Sequence, residues 1–383
     1  MQLESAVLMH SEWATWVARW RSAGLIDADT AERIRAFEQA QGTQQRMRWP
    51  IVIALAFGGL MVGGGIVLFV AANWDALAPA TRFALVLVMV GGLHAGGAFA
   101  AERFPAMSVT LHAIGTLALG AGIALSGQIF NLDEHWPGGI MMWALGAGLA
   151  AWLLRDQPQV ALVAILVPAW LVGEWTVALG HRSFNDFGFR VVAGGCVALA
   201  LTYFTAITHD RRTPARKALL WTGGLTFPPL AIALAFAAAD RWRTGELPPP
   251  LTLTLGLTAA VGIPLGLAIA LRGKDASKNG AAIAWILVLF ALAGYDTDVL
   301  PYVWWATGAV GLVAWGISEA RTERINMGAA VFAATVLAFY FSQVMDKLGR
   351  SASLVGLGLL FLGGGWALER LRRRLVVEAR GDQ

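Results

Sequence analysis

Apolar runs of 16 to 22 residues recur along this 383-residue chain, separated by short polar breaks. A hydrocarbon core of about 30 Å is crossed by about 20 helical residues, so each run is a bilayer's worth of helix. The runs are 51–72, 83–101, 107–126, 138–154, 158–179, 189–208, 219–238, 251–271, 280–295, 302–318, 326–342 and 352–368. Backbone in lipid must satisfy its own hydrogen bonds, and a helix does so within one segment. The fold expected is therefore all-α: a polytopic transmembrane helix bundle of about 12 spans. Pro50, Pro137 and Pro301 stand just before runs, where a missing N–H costs a helix start nothing. The ninth, tenth and twelfth runs are short; they either cross untilted or overlap the interface.

Composition agrees. The chain is 57% hydrophobic and 14% charged, with a mean hydropathy of +0.60. Soluble domains carry about a quarter charged residues. The single Cys196 excludes an intrachain disulfide and reads as a packed thiol inside a run. A net charge of +4 does not argue for nucleic acid, because the basic residues are spread over breaks between runs.

Those basic residues set an orientation. With the amino terminus cytoplasmic, 22 of the 29 Lys and Arg fall on the inner side and 7 on the outer. Short cytoplasmic loops hold such an excess in helical membrane proteins. The expectation is a bacterial inner-membrane protein with both termini cytoplasmic.

Four regions follow: a cytosolic helical preface (1–48), a first membrane region of four spans (49–160), a remaining bundle of about eight spans (161–370) and a basic tail (371–383). In the preface Trp13, Trp16, Val17 and Trp20 recur at helical spacing. Gly24-Leu25-Ile26 breaks that pattern, and Asp27 or Asp29 can cap a second helix carrying Ile34 and Phe37. The result is a short helical hairpin: a solvated or interfacial appendage, or a docking site for a protein partner. Gly59 with Gly63, Gly92 with Gly96, and Ala118 with Gly122 are small-residue pairs that let helices approach.

Chemistry-bearing residues fall in three places. Asn73, Trp74 and Asp75 end the first span, and Gln128, Asn131, Asp133, Glu134 and His135 end the third, all on the outer side. They read as helix caps and aromatic anchors, or as an outer mouth for a cation or polar solute. Their spacing matches no metal motif, so no metal site is assigned. His94 and His112 lie inside their spans at similar depth, as two separate neutral histidines or as a paired proton relay. Glu174 lies near the outer end of its span, reaching the interface or lining a cavity. Asp296 and Asp298 form an acidic turn before Pro301. The chain has no Walker-type phosphate loop, paired CxxC, HExxH or nucleophile elbow, and no cofactor is expected.

Two stretches carry a resemblance. One is Gly65-Ile-Val-Leu-Phe-Val-Ala-Ala-Asn73-Trp74-Asp75 followed by Arg82-Phe-Ala-Leu. The other is Gly120-Ala-Gly-Ile-Ala-Leu-Ser-Gly127-Gln128-Ile-Phe130-Asn131, with Trp136-Pro137 and Trp143-Ala-Leu. Together with Gly24-Leu25-Ile26 they resemble the bacterial membrane-protein family catalogued as domain of unknown function 2157, over residues 10 to 160. The resemblance implies an inner-membrane location and no particular activity.

The functional expectation is a non-enzymatic multi-pass membrane protein. It is either a carrier of a small solute, ion or lipid, or a scaffold subunit of an envelope system. The alternative is a membrane-embedded enzyme acting on a lipid or lipid-linked substrate, with outer acids and His135 as acid–base groups. A carrier predicts a polar-lined cavity reaching the midplane near His94, His112 or Glu174. An enzyme predicts a groove open to lipid at the outer surface, and a scaffold predicts neither.

Overall fold

The computed structural model describes residues 17, 19–44, 78–130, 135–180, 186–208, 213–239, 248–292 and 299–344, with single positions between 57 and 65 and between 355 and 366. The runs 51–72 and 352–368, the polar residues Asn73, Trp74, Asp75, Asn131, Asp133 and Glu134, the Gln128 side chain and the basic tail lie outside the described residues. So do Asp296 and Asp298. The chain divides into two compact units, Met1–Arg82 and Phe83–Gln383.

In the first unit, residues 19–22 close a helical turn with a left-handed glycine. Gly24 has φ +71, its N–H reaches Arg21 O at 3.1 Å, and Leu25 N–H reaches Trp20 O at 3.0 Å. This pair of bonds satisfies the last carbonyls of a helix, and only glycine takes that conformation without strain. Helix α1 (Ala28–Gln44) then starts at Asp27, whose carboxylate accepts the Thr30 N–H at 2.7 Å. That contact with Thr30 holds the Asp27 carboxyl below its ordinary value. Of the expected hairpin, the turn and second arm are described, and most of the first arm is not.

Among its described residues the second unit consists of helices joined by short turns, with no strand. Its helices are α2 (Pro79–Ala100), α3 (Pro105–Phe130), α4 (Trp136–Leu154), α5 (Gln157–Leu179), α6 (Asp186–Phe204) and α7 (Pro214–Ala239). They continue with α8 (Pro250–Arg272), α9 (Ser277–Leu292), α10 (Leu300–Ser318) and α11 (Thr322–Phe339). Proline occupies the first or second position of seven of them, from α2 through α10, as the missing N–H allows. These ten helices overlie the second through eleventh predicted runs. Several begin four or five residues earlier than hydropathy alone indicates, as α7 does at Pro214 rather than 219.

Eight stretches among the described residues are long and apolar enough to cross a bilayer. One is the 40-residue Pro250–Leu289, which a 3-10 turn at Gly273–Ala276 folds into α8 and α9. Gly188–Phe204 is apolar but shorter. Large side chains point outward along these helices, with Phe99 89%, Leu225 79% and Trp152 70% exposed. Such faces are stable only against lipid or another apolar surface.

Consecutive helices pair as antiparallel hairpins, α4 with α5, α6 with α7, and α10 with α11. Helix α6 is the hub: it also packs on α8 and α9. The largest core joins Val197, Leu201 and Phe204 of α6 to Phe227 and Leu234 of α7, Ile286 of α9 and Trp305 and Trp315 of α10. Helices α9 and α10 are clasped by reciprocal indole bonds, Trp285 Nε1 to Trp304 O at 3.1 Å and Trp304 Nε1 to Trp285 O at 3.0 Å. Of the small-residue pairs, Gly92 with Gly96 contributes little, since a Cβ on Gly92 would meet nothing within 4 Å and one on Gly96 only Leu111. Ala118 with Gly122 is buried and close, a Cβ on Gly122 colliding with Val86. Gly59 with Gly63 lies outside the described residues. Backbone-to-backbone approach occurs at Gly223, where a Cβ would collide with Phe204 N and Ala200 O across the α6–α7 seam.

Candidate functional site

Three polar sites are built into this bundle. The first joins α2 and α3. His94 stands six residues before the end of α2 and His112 seven after the start of α3. Their Nδ1 atoms are 3.0 Å apart and their ring centroids 5.3 Å. A neutral imidazole has one N–H, so one Nδ1 donates and the other accepts. Each ring lies against a glycine of the opposite helix: a Cβ on Gly97 would stand 2.8 Å from His112, and one on Gly115 3.0 Å from His94. The sequence placed the two histidines at one depth; the structure brings them into contact. The glycine seats that permit it were not anticipated.

The second site joins the start of α4 to the last turns of α5. His135 precedes α4, and its Nε2 lies 2.8 Å from Glu174 Oε2. Trp170, one turn before Glu174, donates its Nε1–H to Oε1 at 2.8 Å. Both partners of the pair are substantially exposed, 53% for His135 and 38% for Glu174. Sequence reading had grouped His135 with the acids beside it and left Glu174 alone. The structure pairs the two, held by Trp136 packing on Gly173.

Glu174 also borders a cleft of about 290 Å³ between α5, α6 and α8. The cleft runs inward to Pro168 and Pro264, near the middle of their helices. Trp175 forms one wall, seated on Gly256 and bonded through Nε1 to Gly188 O at 3.2 Å. Apart from Glu174, Thr252 and Cys196, the remaining wall is apolar. It is therefore not the polar-lined passage expected for an ion or small polar solute.

The third site was missed. Arg216, Arg272, Arg321 and Arg324 count in the sequence as loop charges that set orientation, yet all four are buried, with 1% exposure at Arg324. They gather where α6, α8 and α10 end. Arg272 donates to Thr205 O at 2.7 Å, Arg216 to Ala206 O at 2.5 Å and to Leu271 O at 2.7 Å, and Arg324 to Ile207 O at 3.2 Å. These carbonyls finish helices, where partial negative charge collects, so guanidinium groups cap them.

Glu319 sits at the centre. Its Oε1 accepts from Arg272 Nη2 at 2.6 Å, Lys278 Nζ at 2.9 Å and Trp315 Nε1 at 2.7 Å, while Oε2 accepts from Arg324 Nη1. Burial alone would raise its carboxyl, but hydrogen bonds from Lys278 and Arg324 outweigh that and hold it at about 2 against an ordinary 4.5. Both guanidinium groups lie over the Trp315 ring, at 5.2 Å for Arg272 and 5.3 Å for Arg324. The turn that places them has Ala320 at φ +51, with Arg321 N–H bonded back to Gly316 O at 2.8 Å. A non-glycine residue there costs about 1–2 kcal/mol. Asn279, also buried, donates to Thr205 Oγ1 at 3.1 Å.

Gln159 was likewise unforeseen: fully buried, its amide N and O have no hydrogen-bond partner among the described residues. Among those residues, no three His, Cys, Asp or Glu side chains gather as a metal site.

Residues 18–160 match the model of a predicted membrane protein family, domain of unknown function 2157. That stretch takes in α1 to α4 and the start of α5, so the match leaves α6 to α11 outside it. No curated protein and no solved structure matches the chain.

Proposed function

We propose that this multi-pass helical membrane protein, whose 18–160 stretch is of the domain-of-unknown-function 2157 type, is a non-enzymatic carrier of a lipid-like amphiphile. We further read it as an inner-membrane protein of about twelve spans with both termini cytoplasmic. The cleft between α5, α6 and α8 carries the functional reading: its wall is apolar, it reaches mid-helix, and a carboxylate stands at one end. An alkyl chain matches such a wall, and a polar head matches the end where Glu174 and His135 meet. The orientation is supported by the ends of α6, α8 and α10, which share one site, as the Lys and Arg distribution requires of those three loops.

The full-length protein, reconstituted in vesicles with a diazirine-bearing long-chain alcohol, whose neutral hydroxyl can donate to Glu174, tests this reading. Crosslinks should concentrate on α5 between Pro168 and Ala178 and on the facing part of α8, and Ala259→Phe, which fills the cleft, should abolish them. Labelling no denser there than on outward residues such as Trp152 and Leu225, and unchanged in Ala259→Phe, overturns it. The enzyme alternative rests on the same His135–Glu174 pair standing beside a groove. It requires chemical turnover of a bound lipid that Glu174→Gln eliminates, whereas a carrier returns the amphiphile unaltered.

A further inference from the structure

A second cavity, of about 450 Å³, lies between α6, α7, α9, α10 and α11. It runs beside α10 from Trp305 to Ser318, roughly 20 Å at 1.5 Å per residue. That exceeds the ~15 Å hydrocarbon depth of one leaflet. Its walls are apolar and aromatic, with Trp285, Trp305 and Trp315 among them. The polar exceptions are Thr307, whose hydroxyl is spent on Trp304 O at 2.7 Å, and one end, where Lys278 and Ser318 meet with Nζ 3.1 Å from Oγ.

That end carries surplus positive charge. Arg272, Arg324 and Lys278 share the single carboxylate of Glu319. The carbonyls of Thr205 and Ile207 take up part of the remainder, about half a charge for a helix end. The Nε atoms of Arg272 and Arg324 are buried with no hydrogen-bond partner among the described residues. Lys278 has spent two of its three N–H donors, on Ser318 and Glu319, and it alone of the three cations is partly exposed, at 37%. Trp315 links the two features: its ring lines the cavity and lies beneath both guanidinium groups.

We propose that this cavity is a binding site for an anionic phospholipid, its acyl chain along α10 and its phosphate on Lys278 and Ser318. The charge complementarity is that of basic pockets between membrane helices that take anionic head groups. The site is separate from the cleft at Glu174, whose charged group has the opposite sign, and it stands or falls independently of that cleft.

Native mass spectrometry of the full-length protein in mild detergent tests the proposal. The probes are phosphatidylglycerol and phosphatidylcholine with identical chains, and inorganic phosphate as a competitor. Phosphatidylglycerol should be retained at least fivefold more tightly than phosphatidylcholine, the size of one lysine's attraction to a net negative lipid, because the choline ammonium offsets the phosphate charge in phosphatidylcholine. Lys278→Gln should remove that preference. Gly311→Leu, at a wall position where a Cβ meets nothing within 4 Å, should block retention of both lipids without disturbing the ion-pair network. Equal retention of the two lipids, an intact preference in Lys278→Gln, or undiminished retention in Gly311→Leu overturns the proposal. Full displacement of phosphatidylglycerol by millimolar inorganic phosphate also overturns it, because the recognised group is then the free ion.

Discussion

Two helices carry the same short phrase toward their C-terminal ends: Trp170-Leu-Val-Gly-Glu174 in α5 and Trp315-Gly-Ile-Ser-Glu319 at the end of α10. Positions four apart share a helix face, and in both the indole N–H bonds the carboxylate, at 2.8 Å and 2.7 Å. The surroundings then part company. Glu174 meets one exposed histidine at the edge of a cleft. Glu319, one residue past its helix, meets Arg272, Arg324 and Lys278. The same local motif is thus a surface ion pair in one place and the keystone of a buried network in the other. What separates them is the chain brought alongside: the apolar start of α4 in the first case, the basic end of α8 and basic first turns of α9 and α11 in the second.

Removing each carboxylate should expose the difference, and Glu319 gives the larger effect. Glu319→Gln leaves Arg272 and Arg324 buried without a counter-charge, and breaking a buried pair in this way costs about 3–5 kcal/mol. The thermal unfolding midpoint of the detergent-solubilised variant should drop accordingly, or folded protein should not accumulate. The same network has a pH signature. The folded carboxyl sits at about 2, below its ordinary 4.5, so its stabilisation is complete above pH 4.5 and is lost as pH falls toward 2. The gap in midpoint between wild type and Glu319→Gln should therefore close below pH 4.5. A gap as wide at pH 3 as at pH 7 breaks the assignment of Glu319 as keystone.

This contrast also marks what could be read without coordinates. Long apolar runs fix where helices lie, because lipid imposes one rule on every segment, and the ten described helices α2 to α11 follow those runs. Their ends are less legible: α7 begins at Pro214, and Arg216 in its first turn is buried against Ala206 O and Leu271 O. Charge counting treats such an arginine as solvated. Only the neighbouring helix ends, brought in at Ala206 and Leu271, turn it inward. The repeated Trp–Glu spacing was the available signal for both carboxylate sites, and it distinguishes neither from the other. His94 and His112 were legible because depth follows from residue count in a helix, whereas their glycine seats depend on how α2 and α3 rotate against each other.

The histidine pair lies between the two extremes, with one hydrogen bond between a half-buried ring, His94, and a buried one, His112. Such bonds average about 0.6 kcal/mol and reach about 1.7. His112→Leu removes the bond and keeps an apolar filler against Gly97, so its midpoint should fall by an amount between those of the Glu319 and His135 variants. A loss as large as that of Glu319→Gln would mean that the pair is part of a wider network.

The smallest effect belongs to the other Trp–Glu site. His135→Ala removes the partner of Glu174, but both side chains face outward, and an exposed pair is worth about 0–1 kcal/mol. Trp170 continues to hold Oε1 in place. The unfolding midpoint should match wild type within error at pH 7, and raising the salt concentration should not separate the two. A loss comparable to that of Glu319→Gln would show that α4 and α5 depend on this bond as α10 depends on Glu319. The two Trp–Glu ends would then be equivalent, and the contrast drawn from their exposure would fail.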